Sequence, residues 1–392
     1  MNNENERINR ALDFLRIELP SWGFANTGTR FGKYSQPEAA TCIEDKFADA
    51  AEVHRLTGAC PTLALHVGWD LPNGTDDVAS IRKLEERYGI RSGSINPNLF
   101  ERQEYKFGSI CNPDARVRQL AMDHLLDSVR IARQLGGRDL SIWLADGSNY
   151  PGTQSIRRRI GWMEEALAAT HAALGPEQRM LLEYKPFEPA FYHTDIADWG
   201  MALQLARRAG PQAFVLVDIG HHYQSQNIEQ IVVWLGREGL LGGFHFNDRR
   251  YADDDLTLGS IDPYQVFRIF HEILSPGEDA SQVAFMIDQS HNLKGKMEAM
   301  VQTVCTAQEL FARAALVDHA RLAELQDACR LVEAEECFRS AFFMDVRPAV
   351  RAWRALRGLP EEPLAALRNS GYIERIRSQR SESNARSVSS YA

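Results

Sequence analysis

Glu183, Asp218, His221, His245, Asp253, Asp255 and Asp288 fall in one stretch of the chain, Leu181 to Lys294, and nearly all stand at or just past the end of a short apolar run. The runs read MLLE (Met180 to Glu183), AFVLVD (Ala213 to Asp218), LGGFHFND (Leu241 to Asp248) and VAFMID (Val283 to Asp288). Apolar runs of this length between helical patterns are strand candidates. Side chains at the C-terminal ends of parallel strands converge on one mouth of a barrel. Carboxylates crowded there repel one another unless cations compensate. Carboxylate and imidazole donors without thiolates suit Mn²⁺, Co²⁺ or Mg²⁺ better than structural zinc. The expectation is a site for two divalent ions. A lone strand-end Asp is more often a helix cap, and the Asp253-Asp254-Asp255 run alone reads as a solvated loop. Together, the residues on four successive strand ends are not explained by caps.

The elements needed to position these residues are visible along the chain. Strands are expected near Trp22–Asn26, Leu63–Val67, Arg91–Ile95, Asp139–Leu144, Met180–Tyr184, Phe214–Asp218, Gly242–Phe246 and Ala284–Asp288. Between and after them, Glu44–Leu56, Asp77–Tyr88, Pro113–Leu135, Ser155–Ala173, Asp195–Ala209, Ile228–Glu238, Pro263–Leu274 and Leu293–Leu316 repeat their apolar residues at a spacing near 3.6. Eight strand–helix units predict an α/β fold, a (β/α)8 TIM barrel over residues 1–316. Residues 317–375 read as a helical C-terminal extension, with Leu322, Leu325, Ala328, Leu331, Val332 and Phe338 as its apolar face. The polar, Ser/Arg-rich residues 376–392 read as a disordered tail.

Composition bounds the function. The chain has 392 residues, enough for one large barrel with extra helices, and a net charge of -9. That charge opposes a nucleic-acid partner, which favours a basic face. No apolar stretch reaches membrane-spanning length, and the N-terminal segment has no signal core. Six cysteines, Cys42, Cys60, Cys111, Cys305, Cys329 and Cys337, lack C-x-x-C spacing and read as incidental thiols of a reducing cytoplasm.

Two further features offer polar chemistry. His66-Val-Gly-Trp-Asp70 follows the second strand, and an imidazole oriented by a nearby carboxylate is a usual acid–base pair. Lys185 lies two residues past Glu183, so an extended chain would face both the same way, and its ammonium could polarise a carbonyl or alkoxide oxygen. By the same alternation Asp253 and Asp255 would share a face. Trp22, Phe31, Trp69 and Trp143 lie near strand ends and could stack on the C–H faces of a sugar.

The segments SWGFANTGTRFGKY (21–34), ALHVGWD (64–70), WLADGSNYPG (143–152), LLEYKPFEPAFY (181–192), VDIGHH (217–222), GGFHFNDRRYADDDL (242–256) and IDQSHN (287–292) resemble the Pseudomonas-type L-rhamnose isomerases, within the xylose-isomerase-like TIM barrels. The resemblance covers about residues 8 to 320. It implies a homotetrameric enzyme converting L-rhamnose to L-rhamnulose with two divalent metals, Mn²⁺ foremost. A C1–C2 hydride shift after ring opening fits a two-metal site; the other route, proton transfer through an enediol, would need a well-placed carboxylate base. The resemblance also implies that Glu183 bridges the metals, that Asp218, His245 and Asp288 complete a structural site, and that His221, Asp253 and Asp255 complete a catalytic one. Lys185 matches the lysine of the E-x-K motif, and His66 and Asp70 match the pair assigned to ring opening. Trp22, Phe31 and Trp143 match pocket walls, and Ser290 matches a position close to the substrate. Three other readings stand beside it: an isomerase of another aldose, such as D-ribose or D-allose; a ketose 3-epimerase, which would use two glutamates where only Glu183 ends a strand; and a non-catalytic sugar-binding protein, which needs neither two metals nor Lys185. A barrel endonuclease is opposed by the charge.

Overall fold

The computed structural model describes residues 2–26, 34–188, 192–275, 277 and 279–386. Its strands are β1 (Ile17–Pro20), β2 (Thr62–His66), β3 (Arg91–Asn96), β4 (Asp139–Trp143), β5 (Arg179–Glu183), β6 (Phe187–Glu188), β7 (Tyr192–His193), β8 (Ala213–Asp218), β9 (Leu241–Phe246) and β10 (Ala284–Ile287). Eight of them close into a barrel in the order β1-β10-β9-β8-β5-β4-β3-β2, and every barrel pairing is parallel. The short antiparallel pair β6–β7 stands in the loop after β5.

The helices of the barrel units are α2 (Ile43–Thr57), α3 (Val67–Asp70), α4 (Val78–Tyr88), α5 (Ala115–Leu135), α6 (Ile156–Ala173), α7 (Trp199–Ala209), α8 (Ile228–Arg237), α9 (Pro263–Ile273) and α10 (Lys296–Ala314). They follow α1 (Asn2–Phe14), an N-terminal helix that buries Ile8, Ala11 and Leu12 and packs on α10. Several starts carry their own caps. Asp198, Asn227 and Asp262 each accept a hydrogen bond from the backbone N–H three residues on, at the starts of α7, α8 and α9. Among the described residues, no helix is long and apolar enough to cross a membrane.

The first strand lies five residues earlier than its expected position, and Ser21–Phe24 form a 3-10 turn instead. Pro20 has no N–H to extend the ladder, and the chain must turn tightly at Gly23. A Cβ there would stand 2.8 Å from the Gln289 carbonyl oxygen. The turn swings Trp22 across the barrel mouth.

Alternation along the strands explains how the acidic mouth is supported. Leu181, Leu216 and Met286 form a fully buried cluster. Each lies two residues before Glu183, Asp218 or Asp288, hence on the same side of its strand. Apolar side chains therefore fill the layer beneath the mouth, and the polar residues stand above it.

After the barrel come α11 (His319–Asp327), α12 (Leu331–Phe343), α13 (Arg347–Ala355), α14 (Pro363–Asn369) and α15 (Tyr372–Arg386), the helical C-terminal extension. Phe338 and Phe342 of α12 pack around Tyr264 and Phe267 of α9, with ring centroids 4.8 to 6.1 Å apart. The buried Trp353 donates to Asp13 of α1 at 3.0 Å. The expectation of a disordered tail from residue 376 is corrected as far as Arg386, because α15 is helical and holds Ile376, Arg380 and Asn384 buried. Residues 387–392 lie outside the described residues. The described cysteines are all free, with Cys60 and Cys111 buried.

Candidate metal centre

β5 and β8 deliver Glu183 and Asp218 as their last residues, β9 carries His245 one residue from its end, and Asp288 follows β10 directly. Register fixes their neighbourhood, because Asp218 pairs with His245 and Met286 pairs with His245 on the other side. One ligand atom from each of Glu183, Asp218, His245 and Asp288 lies within 4.8 Å of all the others. His245 Nδ1 stands 3.1 Å from Glu183 Oε1 and 3.8 Å from both Asp218 Oδ2 and Asp288 Oδ2. Asp218, His221 and Asp253 form a second group on the same criterion. His221 Nε2 is 3.3 Å from Asp253, and its Nδ1 is 3.3 Å from Glu183 Oε1. Glu183 thus touches an imidazole of each group, and Asp218 belongs to both.

Asp255 stands outside the two groups. Its φ of 48° is left-handed, which Asp tolerates better than most residues, so strand alternation does not describe the Asp253–Asp255 loop. Burial and then the charges of Asp253, Asp288 and Asp218 push its carboxyl well above the usual range, which keeps it within the field of the cluster.

The electrostatics record the crowding. Burial, reinforced by Glu183, Asp253 and Asp288 and opposed by His221, pushes Asp218 up to about 7. Against their burial, His221 is raised to about 9 by Asp218 and Asp253, and His245 to about 10 by Glu183, Asp288 and Asp218. Burial would raise Glu183, but His245, His221 and Lys185 outweigh it and hold its carboxyl below the usual value. The cluster therefore draws positive charge from its described neighbours. Lys185 is one of these, its Nζ 2.8 Å from Asp253 and 5.1 Å from the centre of the Trp143 ring.

These residues fit divalent cations. Asp218 Oδ2 and His245 Nε2 are buried without a hydrogen-bond partner, and such atoms in a native site call for an ion or water. Gly220 opens the space, since a Cβ there would lie 2.6 Å from Asp253 Oδ1 and 3.1 Å from Asp218 Oδ1. A third acidic group, Cys111, Asp146 and Asp195, is different in kind. Asp146 accepts from Ser109 and from the Cys111 N–H, and Asp195 pairs with buried Arg159 at 2.6 Å. That group is satisfied internally.

Beside the candidate metal ligands lies an aromatic wall. The His66 ring is 4.8 Å from Trp22, 4.2 Å from Trp69 and 5.9 Å from Phe100, and Phe100 is 5.1 Å from Trp143. Trp22 Nε1 donates to Asp288 Oδ1 at 2.7 Å, joining wall to cluster. Ser290 lies nearby and receives Lys296 Nζ at 3.4 Å. Phe31 lies outside the described residues.

The His66–Asp70 pair is arranged differently from expectation. Asp70 accepts from Ser21 Oγ at 2.5 Å, from Lys46 Nζ at 2.5 Å and from the backbone N–H of His66 at 2.9 Å. The carboxylate clamps the backbone at the start of α3 rather than orienting the imidazole. The His66 ring, with Nδ1 buried and unpartnered, is pushed down to about 4 by burial, against the pull of Asp70. It is a neutral imidazole at neutral pH.

Sequence reasoning missed Phe100, which lies in a loop after β3, and Lys46, which is 24 residues from its partner Asp70. It also missed Asn247, whose Nδ2 donates to Asp218 Oδ1 at 3.0 Å. Asn247 follows His245 at the same alternation that singled out Lys185, so spacing held the signal.

A family profile described as xylose isomerase-like TIM barrel matches residues 49–278. A protein of Rhizobium meliloti described as a probable sugar isomerase is 37% identical over 372 residues, covering 93% of this chain and 86% of that protein. Among solved structures, a xylose isomerase domain protein from Alicyclobacillus acidocaldarius aligns with TM-score 0.55 at 15% identity, covering 77% of this chain and 99% of that one. The 3-keto-D-glucoside 4-epimerase of E. coli aligns with TM-score 0.55 at 12% identity, covering 75% and 99%. These two similarities concern the fold.

Proposed function

Because this chain belongs to the xylose isomerase-like TIM barrel family, we propose that it is a metal-dependent aldose–ketose isomerase, and that L-rhamnose to L-rhamnulose is its reaction. The observation that carries the reading is the convergence of Glu183, Asp218, His245 and Asp288 within 4.8 Å at the C-terminal mouth, next to the Trp22–His66–Trp143 wall. A relative described as a probable sugar isomerase supports the chemistry, and the segment resemblance set out above supports the substrate. In this proposal Glu183, Asp218, His245 and Asp288 hold one divalent ion, and Glu183, His221, Asp253 and Asp255 hold a second. Two ions, Mn²⁺ foremost with Co²⁺ or Mg²⁺ as alternatives, would supply Lewis-acid polarisation of adjacent sugar oxygens.

The residues around them do the rest. Trp22, Trp143 and Phe100 present apolar faces to the C–H side of the sugar and exclude water. His66, held neutral and aimed from the same wall, accepts the anomeric hydroxyl proton and returns it to the ring oxygen, opening the pyranose. Asp70 fixes the backbone from which His66 projects. Lys185 places an ammonium where charge develops on a sugar oxygen, and Ser290 offers a hydroxyl at the rim. A homotetramer in the cytoplasm, with no nucleic-acid or membrane partner, completes the proposal.

A panel of aldoses and ketoses incubated with Mn²⁺ in deuterated water tests it. L-rhamnose should be the best aldose, with hydrogen passing between C1 and C2 and little solvent deuterium in the product. Interconversion of ketoses alone, with deuterium at C3, would instead identify a 3-epimerase. The role of His66 has its own test. His66→Ala is expected to slow turnover of the cyclic sugar by roughly 10²-fold or more, within the usual range for a lost acid–base group, with a smaller effect on KM. A short open-chain aldose should be spared, and an equal loss on both substrates would place His66 outside ring opening.

A further inference from the structure

α15 buries polar residues that a solvated tail would leave in water. Arg380 Nη1 lies 2.8 Å from Asp49 Oδ2, its Nη2 lies 3.1 Å from Asp49 Oδ1, and Nη1 also donates to the Glu38 carbonyl at 3.0 Å. Tyr372 donates to the same Asp49 at 2.7 Å. One turn past Arg380, Asn384 is 5% exposed; its Nδ2 donates to Pro37 O (3.1 Å) and Ala39 O (2.9 Å), and its Oδ1 accepts from Asn26 Nδ2 at 2.9 Å.

The contacts continue inward. Asn26 Oδ1 accepts from the Gln36 N–H at 2.9 Å, and Asn26 Nδ2 donates to the Gln36 carbonyl at 3.1 Å. Gln36 Nε2 then donates to the carbonyls of His291 (3.1 Å) and Lys294 (2.8 Å). Asn26 ends the turn that carries Trp22. His291 and Lys294 belong to the loop that carries Asp288 and Ser290. The two segments joined by this chain of hydrogen bonds are the two that meet in the Trp22–Asp288 hydrogen bond.

We propose that α15 positions the candidate sugar pocket. Asn384, acting through Asn26 and Gln36, sets the Trp22 turn against the Asp288–Ser290 loop, and the Arg380–Asp49 pair anchors the helix that presents it. Asn384 is a positioning residue; it touches neither the metal ligands nor the aromatic wall. The partners of its amide are the Pro37 and Ala39 carbonyls, which accept, and the Asn26 side chain, which donates, all in the β1–α2 connection, so losing the amide loosens that connection and leaves the barrel intact.

The test uses the full chain loaded with Mn²⁺. Asn384→Leu keeps the side-chain size and removes both the donor hydrogens held by the Pro37 and Ala39 carbonyls and the Oδ1 acceptor that holds Asn26. The inference predicts a KM for L-rhamnose raised about fivefold or more with kcat within about twofold, the pattern of lost uniform binding. It also predicts faster amide hydrogen exchange in residues 21–26 and 289–296, with barrel strands exchanging as in the wild type. Loss of folded protein alone would lower kcat and leave KM unchanged, and that result overturns the proposal. Should Asn384→Leu fail to fold, Asn26→Ala breaks the next link and should give the same split. The kinetic arm rests on the isomerase reading. If the wild type turns over no aldose, that reading fails, and the exchange arm still decides, because unchanged exchange at 21–26 and 289–296 overturns the positioning role.

Discussion

Glu183→Gln is expected to empty both proposed metal sites and abolish isomerase activity while the barrel stays folded. Glu183 Oε1 is 3.1 Å from His245 and 3.3 Å from His221, so one oxygen faces an imidazole of each ligand group. Glutamine keeps the size and most hydrogen bonding but removes the negative charge that would screen two cations from each other. Changes one shell further out already weaken metal binding by roughly 10–100-fold, so loss of a shared ligand should exceed that for both ions. The substitution sits above the packed Leu181–Leu216–Met286 layer and leaves it untouched. Circular dichroism should therefore match the wild type, while the metal-dependent part of its thermal stability disappears. Elemental analysis that finds one ion retained at full occupancy would make Glu183 a ligand of a single site, and two ions retained would remove it from the centre.

Lys46→Met is expected to give the largest loss of stability among single substitutions around the site. The Lys46 and Asp70 side chains are 8% and 0% exposed and 2.5 Å apart. Methionine fills the lysine stem's space and leaves Asp70 as a buried charge whose remaining partners are the Ser21 hydroxyl and the His66 N–H. Breaking a buried pair from one side costs about 3–5 kcal/mol, and urea unfolding should show a loss of that order. Adding Asp70→Asn removes the stranded charge and should recover a large part of it. A loss under roughly 1 kcal/mol in Lys46→Met would mean that the pair does not carry the charge balance assigned to it.

The parts legible in the sequence share a physical reason. β5, β8, β9 and β10 are buried on both faces, so they read as continuous apolar runs, and the chemistry sits where the runs stop. The first strand was displaced because Trp22–Asn26 has strand-like residues, while Pro20 and the close approach of Gly23 to Gln289 decide the turn. The Asp70 clamp was not legible, because its partners Ser21 and Lys46 arrive from other units of the fold. Asp255 departed from alternation because the loop turns through a left-handed residue. The tail shows the limit of composition most plainly. Arg380 and Asn384 look like solvated residues until Asp49, Glu38 and Asn26, more than 300 positions away, supply partners that pay for their burial.

Conversion of L-rhamnose by protein stripped with a chelator, verified metal-free by elemental analysis and then reloaded, tests the central claim most directly. The crowded carboxylates, the raised imidazoles and the unpartnered Asp218 Oδ2 support the proposal of a site built around cations. The account predicts that L-rhamnulose formation is lost in the stripped protein and regained on adding Mn²⁺ or Co²⁺. Full activity in the verified metal-free sample would contradict it.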